Sequence, residues 1–167
     1  MDFLAALERT RFSTWMREST SVWGYPTVLF MHTVGMAMVA GLSAAVALRI
    51  IGVSPRTPIR PLERLYPLIW IGFAINAITG TMLVMQDATT KLANPDFYIK
   101  MIFVAAGVVL IVRTRRRIFG DPGLDKAPLP SGAKSLAWLS LFCWIAAITA
   151  GRLLAYVGPA AGPHVSR

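Results

Sequence analysis

The stretch Tyr25–Leu48, YPTVLFMHTVGMAMVAGLSAAVAL, decides the fold. It exceeds the roughly 20 apolar residues that cross a bilayer as a helix. His32 is its only side chain that ionises near neutral pH. An imidazole at that depth has to be buried in protein, hydrogen-bonded or bound to something, because lipid offers it no partner. The other histidine, His164, lies in a polar tail, so imidazole chemistry in the membrane rests on His32.

Three further stretches qualify or nearly qualify as spans: 65–85, 97–112 and 136–156. The third run of the chain, 97–112, is short and extends if Lys100 lies in the interface or is covered by neighbours. With 55% hydrophobic residues and a mean hydropathy of +0.56, the chain is more apolar than an ordinary soluble domain. The expected fold class is an all-α membrane protein, a bundle of four transmembrane helices (25–48, 65–85, 97–112, 136–156) forming one domain over 25–156. Residues 157–167 read as a flexible tail. Residues 1–24 do not read as a cleaved signal, because their charge is mixed and the apolar run that follows is long enough to stay in the membrane. Phe3, Leu4, Leu7, Phe12, Trp15 and Met16 fall on one broad helical arc, which predicts an interfacial amphipathic helix.

The net charge of +9 does not point to nucleic acid, because it gathers in two loops between spans. The first loop holds Arg49, Arg56, Arg60 and Arg64 against Glu63. The third holds Arg113, Arg115, Arg116, Arg117, Lys126 and Lys134 against Asp121 and Asp125. The positive-inside rule makes both loops cytoplasmic and puts both termini outside, in the periplasm of a Gram-negative cell. The Arg113–Arg117 run reads first as a stop signal and phospholipid contact. Cys143 is alone, so no intrachain disulfide can form.

Helices in lipid associate through close contact of small residues. Gly72, Asn76 and Gly80 share a face of span two, Gly41 and Ala45 one of span one, and Ala147 and Gly151 one of span four. This topology gathers polar groups at the outer side. His32 lies ~10 Å below the outer end of span one at 1.5 Å per residue. Lys100 falls in the first turns of span three and Arg152 near the end of span four, with Tyr156 and Thr149 on the same face. Asp87 follows span two.

One imidazole with two cations suits a haem with propionates: His32 would ligate iron, and Lys100 and Arg152 would neutralise carboxylates. Asn76, polar at mid-membrane depth, reads first as an interhelical hydrogen bond; with Tyr156 it also completes the set of candidate cofactor contacts. No second intramembrane histidine is available as a sixth ligand. By depth, Met82 and Met85 on span two and Met101 on span three are the better-placed methionines, whereas Met36 shares the His32 face and cannot readily sit across a haem from it. A five-coordinate haem, or one shared between two chains, stays open. The same residues would suit a quinone headgroup or an anionic lipid, and His with Met is a Cu(I) set of lower rank. No phosphate loop, nucleophile elbow or zinc signature is present.

Tyr25-Pro26, His32, Gly35, Gly41 and Leu48-Arg49 resemble a family of uncharacterised four-helix bacterial inner-membrane proteins. The resemblance continues through Trp70-Ile71-Gly72-Phe73, Thr79-Gly80, Asp87-Ala88-Thr89, Ala93-Asn94-Pro95, Phe97–Lys100 and Ala150-Gly151-Arg152. More distantly, the early His of span one and early Lys of a later span are similar to the copper-resistance D proteins and the membrane protoporphyrinogen oxidases. That resemblance implies haem b held by His32, with Lys100 important for activity. The extra helix of the oxidases has no counterpart among the four runs. Three functional expectations follow. The first is a haem b-binding, cytochrome-like protein or redox-complex subunit. The second is an accessory subunit, in a membrane complex or homo-oligomer, that binds lipid or quinone. The third is a metal or small-solute transporter, disfavoured because the inner half offers no polar path.

Overall fold

The computed structural model describes residues 2–19, 21–121, 124 and 128–156. No strand occurs among them, and the chain folds as an antiparallel helical bundle. Two short helices, α1 (Asp2–Glu8) and α2 (Arg11–Glu18), precede the spans. The first span is α3 (Tyr25–Met36) and α4 (Leu42–Ile51), joined through a π-turn at Ala37–Gly41. A 3-10 turn at Arg60–Arg64 runs into α5 (Leu65–Met85). The connector α6 (Ala88–Ala93) leads to α7 (Pro95–Thr114), which a π-turn extends over Arg115–Phe119. The fourth span is α8 (Ala133–Tyr156). Four helices are long and apolar enough to cross a membrane: Tyr25–Ile51, Arg60–Met85, Pro95–Phe119 and Ala133–Leu154.

Local chemistry sets the helix ends. Pro26 and Pro95 stand in the first turns of α3 and α7, where a missing N–H leaves no hydrogen bond unmade. Asn94 caps α7, its side-chain oxygen accepting from the Asp96 N–H at 2.9 Å. Gly52 ends α4 at φ 109°, a left-handed conformation that favours glycine.

Packing follows the sequence pattern in part. α3 lies on α5, α4 on α8, and α7 on α8. Val39, Val46, Ile50, Ile69, Ile111 and Trp144 are among the buried core residues. Phe30, Ile71, Ile78, Ile102, Phe142 and Ile145 point outward. So many large exposed apolar groups are expected where the surroundings are hydrocarbon rather than water. Gly72 does mark the closest approach: a β carbon there would stand 2.5 Å from Met38 Cβ. Its partner on span one is Gly35, where a β carbon would meet the Asn76 nitrogen at 2.8 Å. The expected pair Gly41 and Ala45 is exposed instead, and Gly41 has open space beside it. The π-turn over Ala37–Gly41 carries an extra residue per turn and so rotates the face that follows it.

Two further differences concern the flanks. The third span does not stop at 112 but continues through the arginines. Ile118 and Phe119 turn back into the core, where Phe119 meets Tyr66 edge-on at 5.3 Å. The N-terminal segment is two helices rather than one. Thr10 breaks it and caps α2 by accepting from the Ser13 N–H. The tail 157–167 and Lys126 lie outside the described residues.

Candidate functional site

His32 sits where α3 crosses α5. Its Nδ1 is 3.1 Å from the Asn76 carbonyl oxygen and 3.1 Å from the Thr79 hydroxyl. The Thr79 hydroxyl already donates to the Ile75 carbonyl at 2.6 Å, so towards the ring it can only accept. The two nearest partners of Nδ1 are therefore acceptors. The Asn76 side-chain amide, a donor, stands farther off at 3.4 Å and bonds the His32 carbonyl at the shorter distance of 2.9 Å. This geometry favours the ring proton on Nδ1. Nε2 then carries the lone pair. It makes no hydrogen bond among the described residues.

The contact is reciprocal. The Asn76 side-chain amide donates back to the His32 carbonyl at 2.9 Å. Each of the two residues thus bonds the backbone of the other's helix. The ring also needs Gly80: a β carbon there would lie 3.1 Å from Cε1, tight enough to force the imidazole to move. Asn76 and Gly80 are four apart on one helical face, so the sequence pattern that packs the two helices is also the pattern that seats the histidine.

Charge around this site comes from two lysines. Lys91 and Lys100 both act electrostatically on the His32 ring. Lys100 extends from α7 across Gly151 of α8, its Nζ 3.6 Å from where a β carbon of Gly151 would stand. Lys91, on α6, donates to the Leu83 carbonyl at 2.6 Å, near the C-terminal end of α5, where a cation is favoured. Burial pulls the Lys91 ammonium below the usual lysine range, and the Asp87 carboxylate pushes the other way.

The N-terminal helices close over this end. Glu8 accepts from the Thr89 N–H at 2.7 Å and the Thr89 hydroxyl at 2.6 Å. Ser13 is fully buried, its hydroxyl 2.9 Å from the Leu7 carbonyl and 3.2 Å from the Met85 carbonyl, which share its one proton. Arg17 reaches the Gln86 carbonyl at 3.3 Å. The segment read as interfacial is thus fastened to the corner between α5 and α6.

Of the expected site residues, His32 and Asn76 are in direct contact, and Lys100 acts on the ring through its charge. Arg152 is exposed on α8 and makes no hydrogen bond among the described residues. Met85 stands nine residues after Asn76, which at 100° per residue is the opposite side of α5. Met82 is about a third of a turn away from the face that meets His32. The Tyr156 side chain lies outside the described residues. The sequence reading did not include Thr79 and Lys91 in the site. Thr79 sits one turn below Leu83 and could have been found by its i+3 spacing from Asn76. Lys91 carries no such signal, because its position depends on the fold of the short α6 connector. No three of His, Cys, Asp and Glu gather to hold a metal ion among the described residues. The site thus brings together one imidazole held against α5 and the charge of two lysines that act on it.

No family model, curated protein or solved structure matches the chain.

Proposed function

We propose that the protein is a haem b-binding, cytochrome-like subunit of a bacterial inner membrane, with both termini outside and His32 as the axial ligand near the outer face. The observation that carries the reading is the pair of acceptors 3.1 Å from His32 Nδ1. Histidines that ligate metals usually give their other N–H to a carbonyl or a similar acceptor, which fixes the ring and raises its basicity. His32 fits that arrangement, with Nδ1 against a carbonyl and a hydroxyl and Nε2 making no hydrogen bond among the described residues. Lys100 and Lys91 would neutralise propionates, and the closed N-terminal helices would limit water at the site. Bound haem would supply one-electron transfer.

The test is a reduced-minus-oxidised visible spectrum of the protein purified in mild detergent from haem-replete cells. Haem bands are expected in the parent and absent in His32→Ala. Thr79→Val, which keeps the carbonyl acceptor but removes the hydroxyl, is expected to retain haem with a shifted midpoint potential. A colourless, folded parent protein would end this reading.

The same lysines favour a second reading, an accessory subunit that binds a quinone. A quinone's carbonyl oxygens accept hydrogen bonds from ammonium groups and need no ligand at Nε2. Quinone co-purifying with the colourless protein, and lost in Lys100→Met, is the outcome that would establish it.

A further inference from the structure

Far from His32, at the end that carries the arginine loops, two clefts adjoin between α5 and α7. One has a volume of about 540 Å³ and is lined by Arg60, Glu63, Arg64 and Arg115 together with prolines of the first loop. The other, about 350 Å³, is lined by Tyr66, Trp70, Ile111, Val112, Arg115 and Arg116, among others. Glu63 and Arg115 belong to both and form the ridge between them, 3.8 Å apart. Arg115 also lies over the Tyr66 ring at 5.6 Å.

The walls change character with depth. Arg115 and Arg116 stand at the loop end. Val112 and Ile111 lie one turn deeper on the same helix, and Trp70 one turn deeper than Tyr66, roughly 5–6 Å in each case. A ligand filling both clefts therefore meets guanidinium groups at one end and hydrocarbon at the other. Arg60 is engaged by the Asp121 carbonyl at 2.9 Å. Arg64, Arg115 and Arg116 still outnumber Glu63. Guanidinium groups match phosphate oxygens in geometry as well as charge.

We propose that the joined clefts form a binding site for one anionic phospholipid, its phosphate held by Arg64, Arg115 and Arg116 and an acyl chain lying along Trp70, Ile111 and Val112. The neighbouring Arg113 and Arg117 line neither cleft. They separate a built site from the diffuse attraction that any basic membrane loop has for anionic lipid. Glu63 holds Arg115 in place when the site is empty and sets a limit on how much negative charge it accepts.

The experiment is native mass spectrometry of the detergent-solubilised full chain with added phosphatidylglycerol or phosphatidylcholine. Phosphatidylglycerol is expected to bind with one tight equivalent and phosphatidylcholine without one. The pair Arg115→Gln/Arg116→Gln is expected to weaken the tight equivalent about tenfold or more. Arg113→Gln/Arg117→Gln, which removes the same charge, is expected to leave it within about twofold. Equal losses in the two double variants would overturn the site in favour of diffuse attraction. So would displacement of the lipid by millimolar glycerol phosphate, which would mark a soluble-anion site. Val112→Trp fills the hydrocarbon part without touching charge. It is expected to expel the lipid even if the arginine pair does not fold, and retention of the tight equivalent would refute the acyl-chain contact.

Discussion

Where α3 crosses α5 the polar groups around His32 are bonded to one another: ring to carbonyl, hydroxyl to carbonyl, amide to carbonyl, while farther along the same end the Gln86 side-chain oxygen is buried without a partner. In the opposite half, Ser43, Tyr66, Thr114 and Ser140 surround a cavity of about 10 Å³ among all four spans, and the Ser43 hydroxyl is buried without a hydrogen-bond partner. The first region uses polar groups to fix a geometry, since each bond removes a freedom from the ring. The second tolerates them in a mainly apolar wall. Fixed orientation is what a ligand site requires, and that is the physical ground for the proposal that His32 holds a ligand.

The largest expected effect tests whether the His32 end depends on the helix crossing below it. Gly72→Ala would put a β carbon 2.5 Å from Met38 Cβ and 3.1 Å from the Gly35 carbonyl, contacts that backbone movement alone can relieve. Loss of about 3 kcal/mol in mixed-micelle unfolding is expected. Gly41→Ala, with open space beside it, is expected to be neutral within about 0.5 kcal/mol. If the two variants unfold alike, the close crossing is not what holds α3 to α5. Next in size is Asn76→Leu. It removes the amide that donates to the His32 carbonyl and is expected to cost about 1 kcal/mol, in line with interhelical hydrogen bonds in membranes. Nδ1 would keep its backbone acceptor. The nitrogen signals of the His32 ring should therefore still report the Nδ1–H tautomer in this variant, and a switch to Nε2–H would show that the side chain, not the carbonyl, sets the proton.

Much of the bundle was legible because lipid imposes simple rules. Four long apolar runs and two basic loops gave the spans, and the spacing of Gly72, Asn76 and Gly80 gave the face of α5 that meets α3. Small-residue spacing misled at Gly41 and Ala45, since a π-turn shifts the helical register and no composition rule signals one. The third span ran past its expected end because arginines continue a helix well and because Ile118 and Phe119 had core to fill. For the site, His32 and Asn76 could be paired by depth and polarity. Lys91 and the clasp formed by Glu8, Ser13 and Arg17 could not, because those contacts join residues some 70 to 80 positions apart through short elements without periodicity.

The opposite half gives the smaller, sign-reversed effect. Ser43→Ala removes a hydroxyl that has no partner, and such a deletion is expected to be neutral or stabilising by up to about 1 kcal/mol. The cavity is at the lower limit for holding one water, and its walls are mainly apolar. Destabilisation by Ser43→Ala, checked by the same unfolding assay, would mean that a water bridges the hydroxyl to Ser140 or Thr114. The two halves would then be alike in binding their polar groups.

The smallest effect concerns the clasp over the His32 end. Thr89 donates two hydrogen bonds to Glu8, and these hold its carboxyl below the usual carboxylate range. A carboxyl with a depressed value in the docked state favours docking only while it is ionised. The contribution is therefore complete above the ordinary value of about 4.3 and is lost as pH falls through the lower, docked value. Amide hydrogen exchange in α1 is accordingly expected to be flat from pH 7 to about 5, after correction for intrinsic rates, and to quicken below about pH 4. The group is partly exposed, so the change is expected to be modest and to shrink with salt. Glu8→Gln keeps an acceptor oxygen but cannot ionise, and should abolish the pH dependence while leaving α1 partly protected. If the acid-induced opening survives in Glu8→Gln, another titrating group governs the clasp. Asp87, beside Lys91, would be the next residue to replace.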